Sequence, residues 1–267
     1  MAKPARNASD ALRTRLLQAN VSAALFGDPV AHVQLGRYRL VRFLGEGGMG
    51  SVFEAIEPET GQRVALKVLH AHGSQALQRL KREFRMLADL RHRNLVEFRE
   101  LAVEEDAEAF LVMELIDGHR FADYLRPHGT LDFDRLRLAL PQLVAAVSFL
   151  HGHEVLHRDL KTSNLLVAGD GRLVVLDFGV ARYASDLAGS GSGTRKYMAP
   201  ERLRGEPASE ASDWFSVGVI LASVLGHEAG DARRQEWVDL SARLRAPDPA
   251  VRPRGPALLR ALALPER

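Results

Sequence analysis

Cysteine is absent from this sequence of 267 residues. Its absence excludes disulfide bonds and thiolate metal sites, so the chain can function in a reducing compartment. Long apolar runs are also missing: the longest, at positions 214–225, has 12 residues, whereas a membrane-spanning helix needs about 20. That run is typical of a helix buried on all sides. The sequence therefore predicts no membrane span.

An excess of charge of either sign is missing as well, because 36 Lys and Arg residues stand against 34 Asp and Glu residues. The charges are dispersed, which gives no indication of binding to nucleic acid or to an anionic membrane. The N-terminus lacks the apolar core, about 7–15 residues long, of a secretory signal. We therefore expect a cytoplasmic protein that binds no nucleic acid. The hydrophobic content of 46% is sufficient for a core in one large domain or two small lobes.

Two short motifs carry the candidate chemistry, namely His157-Arg-Asp-Leu-Lys-Thr-Ser-Asn164 and Leu176-Asp-Phe-Gly179. Phosphoryl transfer requires a carboxylate that faces the acceptor hydroxyl, and oxygen ligands that hold Mg²⁺ on the phosphates. Asp159 can supply the carboxylate, and Asn164 and Asp177 can supply the ligands. The motifs therefore predict a phosphotransferase in which Asp159 is the catalytic base and Asn164 and Asp177 bind the metal.

A glycine-rich stretch, Gly45-Glu-Gly-Gly-Met-Gly50, lies between predicted strands at 38–44 and 51–56. Glycine lacks a Cβ atom, so such a stretch can fold tightly over phosphates and offer them backbone N–H groups. A dinucleotide-binding fold would continue with a helix, whereas a strand follows here. The predicted nucleotide contacts in this region are Gly45, Gly47, Gly50 and Val52.

A lysine in the next predicted strand, Val64-Ala-Leu-Lys67, can pair with the nucleotide phosphates and with a glutamate on the following helix. The apolar spacing predicts that helix at about 74–90. Glu83 is its only acidic residue before Asp89, so we expect a Lys67–Glu83 ion pair. The alternative is that both are solvated surface charges.

Taken together and in this order, the motifs resemble the protein kinase catalytic domain, and specifically a bacterial Ser/Thr protein kinase of the eukaryotic-like type. The resemblance runs from about residue 37 to residue 262. It implies an α+β fold of two lobes: a small antiparallel-sheet N-lobe with one main helix at 37–116, and a larger helical C-lobe at 117–267. The C-lobe is shortened after the buried helix at 213–226, where the usual docking helix has no room. Residues 1–36 form an N-terminal extension.

The same resemblance implies roles for further residues. Met113 guards the back of an adenine pocket, Glu114 to Ile116 form its hinge, and Ala65 and Leu166 sandwich the base. His157 is a structural residue that stacks in a spine with Phe178, Leu87 and Phe98. The resemblance also implies that Lys161 takes part in catalysis and that Asp213 binds the backbone of the catalytic loop. It further implies that Glu201 forms a buried ion pair with Arg252.

An activation segment is implied at 177–201, and we expect it to control activity. Lys161 and Thr194 favour Ser/Thr over Tyr acceptors in the family. In the family, an arginine such as Arg158 pairs with a phosphate on this segment. The candidate phosphorylation sites are Ser185, Ser190 and Ser192, with Ser190 or Ser192 favoured because glycines flank them.

A helix is predicted before the resemblance begins, at about 9–26. Its apolar residues recur with the spacing of one helical face, at Leu12, Leu16, Leu17, Val21, Ala24 and Leu25. One interpretation is a helix that docks protein substrates in place of the lost C-lobe helix. The favoured alternative is a helix packed on the N-lobe, and an Arg-rich targeting peptide is a third.

The functional hypothesis is a protein kinase that transfers the γ-phosphate of ATP to Ser/Thr hydroxyls of a protein substrate, with Mg²⁺ or, alternatively, Mn²⁺. Its chemical positions are all filled, by Lys67, Glu83, Asp159, Asn164 and Asp177. Two alternatives are a nucleotide-binding pseudokinase scaffold and a small-molecule phosphotransferase of the same fold.

Overall fold

The computed structural model describes residues 4–26, 33–47, 50–69, 74–104, 109–178, 195–226 and 232–262. The chain divides into two compact units: Met1–Leu90 with Glu97–Leu115, and Arg91–Val96 with Ile116–Arg267. An antiparallel sheet dominates the first and helices dominate the second, so the fold class is α+β, as expected. Among the described helices, none combines the length and apolarity needed to cross a bilayer.

The first unit is built on a six-stranded antiparallel sheet with the spatial order β1-β2-β3-β4-β6-β5. Its central strands are rich in β-branched and aromatic residues, which suit a pleated, buried surface. One helix, α2 (Ser74–Ala88), follows β4 and buries Leu80 and Leu87. The strands are β1 (Gln34–Leu35), β2 (Tyr38–Gly47), β3 (Gly50–Ile56), β4 (Arg63–Leu69), β5 (Phe98–Val103) and β6 (Ala109–Glu114).

The N-terminal helix α1 (Pro4–Phe26) packs into the core of this first unit. Leu12, Leu16 and Ala19 are buried in one cluster with residues of the sheet, which include Leu35, Tyr38, Leu40 and Phe53. The packing interpretation is therefore confirmed.

The prediction that the apolar residues of α1 form one buried face was wrong in part. Leu17 is 56% exposed and Val21 is 52% exposed. An α-helix turns by about 100° per residue, so Leu17 and Val21 point well away from the stripe at Leu12, Leu16 and Ala19. Only the narrower stripe of Leu12, Leu16 and Ala19 is buried against the sheet.

Two long helices form the centre of the second unit. The first, α4 (Phe133–Gly152), begins at Asp132, whose side chain accepts hydrogen bonds from two backbone N–H groups of the first turn. The second, α6 (Glu210–Leu225), begins with a capping box between Ser209 and Ser212. It is buried on most sides, and this agrees with the buried helix predicted at 213–226.

The remainder of the second unit is short. α7 (Ala232–Leu244) is the one α-helix described between α6 and Arg252, and it approaches α6 closely at Gly218. A Cβ atom at Gly218 would lie 2.7 Å from Leu244 Cβ. The other helical elements are α3 (Phe121–Tyr124), the 3₁₀ turns Thr162–Asn164 and Pro249–Val251, α5 (Pro200–Leu203) and α8 (Gly255–Leu262).

A small antiparallel sheet of the second unit carries part of the candidate site. It consists of β7 (Gly118–Arg120), β8 (Leu165–Ala168) and β9 (Leu173–Val175), in that order. Asn94 ties the sheet to α4, because its side-chain amide donates to Leu173 O at 2.7 Å and to Gln142 Oε1 at 2.8 Å. The β8–β9 hairpin therefore has a fixed position relative to α4.

Candidate active site

The loop between α4 and β8 is held by one buried carboxylate, that of Asp213 on α6. Asp213 Oδ2 accepts from His157 N at 2.8 Å, and Asp213 Oδ1 accepts from Arg158 N at 2.9 Å. Arg158 has a φ of 68°, in the left-handed region. That conformation costs about 1–3 kcal/mol for a residue with a Cβ atom. The two hydrogen bonds offset this cost, and the predicted role of Asp213 is confirmed.

A third partner of Asp213 is His151, which the motifs do not predict. Its Nε2 lies 2.9 Å from Asp213 Oδ2, and its ring packs edge-on against Trp214 at 5.3 Å between centroids. His151 stands four residues after Val147 on α4 and so continues the buried face of that helix. A polar residue in line with an apolar stripe was the available signal.

Asp159 differs from Asp213 because its carboxylate is only partly satisfied. The residue is 8% exposed, and Oδ2 accepts from Lys161 Nζ at 2.6 Å. Oδ1 is buried and has no hydrogen-bond partner among the residues that the structure describes. An unsatisfied buried acceptor costs about 1–3 kcal/mol. Oδ1 is thus the one oxygen of Asp159 that the described residues leave without a hydrogen bond.

His157 is fully buried next to this carboxylate, and both of its ring nitrogens form hydrogen bonds with the backbone. Its Nδ1 accepts from Asp159 N at 3.3 Å, so the ring proton is on Nε2, which donates to Leu176 O at 3.0 Å. Burial lowers the pKa of His157 below its usual value. The neutral ring therefore links the residue before Asp177 to the backbone of Asp159.

Asn164 and Asp177 lie at the same end of the β8–β9 hairpin. Leu165 pairs with Val175, and Leu176 N donates to Asn164 O at 2.8 Å. Asn164 Nδ2 donates to Asp159 O at 2.9 Å. That bond orients the Asn164 side chain with the amide oxygen as its remaining acceptor.

The donor chemistry of these two residues fits a magnesium ion. Mg²⁺ prefers oxygen ligands and is commonly held by one or two carboxylates together with phosphate oxygens. Asn164 offers an amide oxygen, and Asp177, with a φ of 58°, offers a carboxylate. Across the described ranges, no group of three or more His, Cys, Asp and Glu residues could hold a metal ion.

The glycine-rich motif forms the β2–β3 hairpin of the first unit. Gly45 pairs with Val52, and Gly47 pairs with Gly50, while residues 48 and 49 lie outside the described ranges. Gly50 has a φ of 149°, and a Cβ atom there would clash with Val68 O. The backbone at Gly50 therefore requires glycine, whereas a Cβ atom at Gly45 would meet nothing within 4 Å.

Lys67 lies on β4, where it pairs with Val52 of β3 and Leu111 of β6, and it is buried. Glu83 belongs to α2, but its side chain is not among those that the structure describes. The Lys67–Glu83 pair therefore stays a prediction.

The residues predicted for the adenine pocket are divided between the two units. Ala65 pairs with Met113 across β4 and β6, and these residues and Glu114 belong to the first unit. Ile116 and Leu166 belong to the second unit. Their role as one pocket also stays a prediction.

The end of the activation segment is anchored to the second unit at several points. Tyr197 Oη lies 3.0 Å from Thr162 Oγ1 in the catalytic loop, and Ser216 Oγ donates to Tyr197 O at 2.9 Å. No sequence motif predicts either contact, because the partners are distant in sequence. Residues 179–194 lie outside the described ranges, and this includes Ser185, Ser190, Ser192 and Thr194.

The predicted Glu201–Arg252 pair is confirmed as a buried, bidentate ion pair. Arg252 Nη1 donates to Glu201 Oε1 at 2.6 Å, and Nη2 donates to Oε2 at 2.8 Å. Arg252 also donates to the carbonyl oxygens of Ala246, Ala211 and Pro247. The arginine holds the pKa of Glu201 below its usual value. The short segment that leads to α8 is thereby fastened to α5.

Comparison with known proteins agrees with this geometry. PknA, a serine/threonine-protein kinase of Mycobacterium tuberculosis, is 36% identical over 211 residues, covering 74% of this chain and 48% of PknA. The probable serine/threonine-protein kinase PknB of Lactococcus lactis is 32% identical over 197 residues, covering 71% of this chain and 31% of PknB. PrkC of Bacillus subtilis is 32% identical over 197 residues, covering 71% of this chain and 30% of PrkC.

The chain thus spans about half the length of PknA and about a third of the length of the other two relatives. The family model described as protein kinase domain matches residues 38–237. That match includes the glycine-rich hairpin, Lys67, the catalytic loop and Asp213. The chain belongs to the protein kinase domain family.

Proposed function

We propose that this chain is a Ser/Thr protein kinase that transfers the γ-phosphate of ATP to hydroxyl groups of a protein substrate. The observation that carries the proposal is the state of Asp159, a buried carboxylate with one oxygen bound by Lys161 and the other without a partner in the described part of the chain. A family relationship alone would not establish activity. A carboxylate kept available in this way is what a general base for a hydroxyl requires.

In the proposed reaction, the acceptor hydroxyl attacks the γ-phosphorus, the bond to the β–γ bridging oxygen breaks, and ADP leaves. Asp159 accepts the hydroxyl proton, and Lys161 keeps the carboxylate oriented. Asn164 and Asp177 would hold Mg²⁺, or alternatively Mn²⁺, which supplies positive charge to the phosphate oxygens. The backbone around Gly45, Gly47, Gly50 and Val52 would cover the phosphates, Lys67 would pair with them, and Glu83 would orient Lys67. For the base, we propose the adenine pocket of Ala65, Met113, Glu114, Ile116 and Leu166.

The decisive test is incubation with labelled ATP and Mg²⁺, with and without a generic basic protein, followed by mass-spectrometric mapping of the phosphorylated residues. We expect phosphoserine and phosphothreonine. Asp159→Asn should lower the rate by about 10²–10⁴-fold, with the nucleotide dissociation constant nearly unchanged, because Asp159 does not hold the nucleotide.

Each alternative function gives a different result in the same experiment. A pseudokinase scaffold would bind MgATP without transfer, and Asp159→Asn would then equal the wild type. A small-molecule phosphotransferase would label small hydroxylated compounds and leave the basic protein unlabelled. Either result would contradict the proposal.

We propose that phosphorylation of Ser190 or Ser192, or of Ser185, activates the enzyme by pairing with Arg158. This rests on the family resemblance and on the exposure of Arg158. A Ser185→Ala/Ser190→Ala/Ser192→Ala variant should lose activation, while remaining able to bind MgATP. Undiminished activity would exclude phosphorylation there as the switch.

We propose further that protein substrates dock on the exposed side of α1, at Leu17 and Val21. A Leu17→Ser/Val21→Ser variant should raise KM for a cognate protein and leave KM for a short peptide and the melting temperature unchanged. Leu16→Ala is the matched control on the buried side, where removal of core atoms costs about 2–5 kcal/mol of stability. An unchanged KM for the cognate protein in the variant, or the same fold-change in KM for both substrates, would contradict docking. Use of ATP as the donor favours a cytoplasmic site of action, which cell fractionation would test.

A further inference from the structure

Arg13 on α1 contacts the glycine-rich hairpin from outside the segment that the family model matches, which begins at residue 38. Its guanidinium carbon lies 4.6 Å from the centroid of the Phe43 ring. Its Nη1 lies 4.0 Å from Glu46 Oε2. Glu46 is the residue between Gly45 and Gly47. The N-terminal helix therefore reaches into the motif itself.

The contact is made between two well-anchored elements. Next to Arg13, Leu12 is buried in the core of the first unit, and Leu16 lies one turn further along the same stripe. On the other side, the Phe43 ring packs edge-on against Phe53 at 5.5 Å between centroids, and Phe53 is fully buried. A cation held over such a ring is attracted by the negative face of the aromatic system.

The charge of Glu46 gives the contact a consequence for nucleotide binding. A carboxylate within a motif that covers phosphates repels them, because like charges disfavour each other at short range. Arg13 places a positive charge beside that carboxylate. Both side chains are partly exposed, at 47% and 38%, so solvent screens the pair and its effect is modest.

We propose that Arg13 is a positioning residue for the nucleotide: it fixes the end of β2 through Phe43 and offsets the charge of Glu46, so that the hairpin accepts MgATP. This inference rests on the proposed function, because it assigns a support to the same phosphate-binding motif. It gives α1 a role within the enzyme that is separate from substrate docking, because Arg13 acts on the hairpin of its own chain and not on a protein substrate.

The first test compares Arg13→Gln with Arg15→Gln, in which an exposed arginine of the same helix is changed. Calorimetry should show that Arg13→Gln raises the dissociation constant of MgATP about twofold to fivefold, the range for a partly exposed cation–π contact with a weak ion pair. KM for ATP should rise in step, KM for a peptide should not, and Arg13→Lys should recover part of the loss. Arg15→Gln should match the wild type. Equal effects of the two glutamine variants would overturn the proposal.

A second test uses Glu46→Gln to remove the opposing charge. If Arg13 acts partly by offsetting Glu46, then Arg13→Gln should weaken MgATP binding less in the Glu46→Gln background than in the wild type. Strictly additive effects would overturn that part of the proposal.

Hydrogen exchange of the free protein separates this inference from the proposed function. Arg13→Gln should speed exchange of backbone amides at 43–47, and Arg15→Gln should not, whether or not any nucleotide binds. Wild-type protein that binds no MgATP would contradict the proposed function, whereas unchanged exchange in Arg13→Gln would contradict the positioning role.

Discussion

At the scale of single residues, two buried aspartates of the second unit differ in how far their oxygens are satisfied. Asp213 receives hydrogen bonds on both oxygens, from backbone N–H groups and from His151. Asp159 receives one on Oδ2 and none on Oδ1 from the described residues. A carboxylate with hydrogen bonds on both oxygens stabilises the loop, whereas a carboxylate with one unpaired oxygen still has an acceptor to offer. The two aspartates therefore differ in hydrogen bonding although both are buried.

The metal assignment leads to a prediction for Asp177. Asp177→Ala should abolish tight, Mg²⁺-dependent ATP binding together with turnover, because an oxygen ligand is lost and Mg²⁺ tolerates little change in its ligand geometry. Calorimetry with ATP in the presence and absence of Mg²⁺ measures this. Glu154→Ala is a matched control, since Glu154 is an exposed residue with a left-handed φ of 59°. Equal MgATP affinity in Asp177→Ala and the control would show that Asp177 is not a ligand.

The buried His157 leads to a prediction about pH. The unfolded chain takes up a proton near the usual pKa of 6.5, whereas burial lowers the pKa in the folded state. The free energy of unfolding should therefore decrease as the pH falls below 6.5, until the folded state also takes up the proton.

His157→Phe should flatten this dependence while lowering stability overall, because the ring hydrogen bonds are lost. The pKa of His92 is lowered as well, so the comparison is best made by urea unfolding in a His92→Gln background. A slope between pH 6.5 and 5 that is the same with His157 and with Phe at position 157 would refute the assignment.

The sequence predicted those residues whose chemistry allows few substitutes. Asp159, Asn164 and Asp177 were predicted because phosphoryl transfer requires carboxylate and amide oxygens at fixed spacing, and their roles stay predictions. His151, Thr162 and Ser216 were not identified, because each acts on a partner that is distant in sequence and becomes a neighbour only after folding. The exposure of Leu17 was also mispredicted, since periodicity cannot tell how wide a stripe the sheet will cover. Buried partners and stripe widths are properties of packing.

At the scale of elements, the catalytic loop and the end of the activation segment are joined side by side. Thr162 follows Lys161 in the loop, and its hydroxyl contacts Tyr197, whose carbonyl is held in turn by Ser216 on α6. The family resemblance assigns peptide positioning to the segment around Tyr197. A direct link to the loop that carries Asp159 would fix the distance between the bound peptide and the base.

Removing this hydrogen bond should weaken the binding of peptide substrates without affecting the binding of ATP. Thr162→Val keeps the shape of the side chain but removes the hydroxyl, and one hydrogen bond is worth about 0.5–1.5 kcal/mol, or roughly twofold to tenfold in KM for the peptide. KM for ATP should not change. The neighbouring exposed Ser163→Ala is the control, and Thr162→Val/Tyr197→Phe should be no worse than the more severe single variant, because the same contact is removed. Equal peptide KM values for Thr162→Val and Ser163→Ala would contradict the link.

At the scale of the whole molecule, a few close contacts hold one segment in each unit: the chain between α6 and α8 in the second unit, and α1 in the first. In the second unit the chain between α6 and α8 is short, and it is secured by the approach of α7 to Gly218 and by the Glu201–Arg252 pair. In the first unit α1 is secured by its buried stripe.

The Glu201–Arg252 pair should therefore be costly to break on one side. Arg252→Met leaves a buried carboxylate without its counter-charge, and such changes cost about 3–5 kcal/mol. Arg204→Met, which removes an exposed pair with Glu206, should cost about 1 kcal/mol or less. Urea unfolding measures both.

The double variant Glu201→Leu/Arg252→Met should recover part of the loss, because no buried charge is left. If Arg252→Met were as mild as Arg204→Met, the pair would contribute nothing to the stability of the second unit.

The packing of α1 on the sheet has a practical consequence for producing the protein. A recombinant chain trimmed to the family boundary at residue 38 would lose the stripe that covers Tyr38, Leu40 and their neighbours. The uncovered apolar surface would favour self-association of the product. Expression plasmids for enzymology and crystallisation should therefore encode α1. If N-terminal truncations are made, the solubility of each shortened protein should be measured.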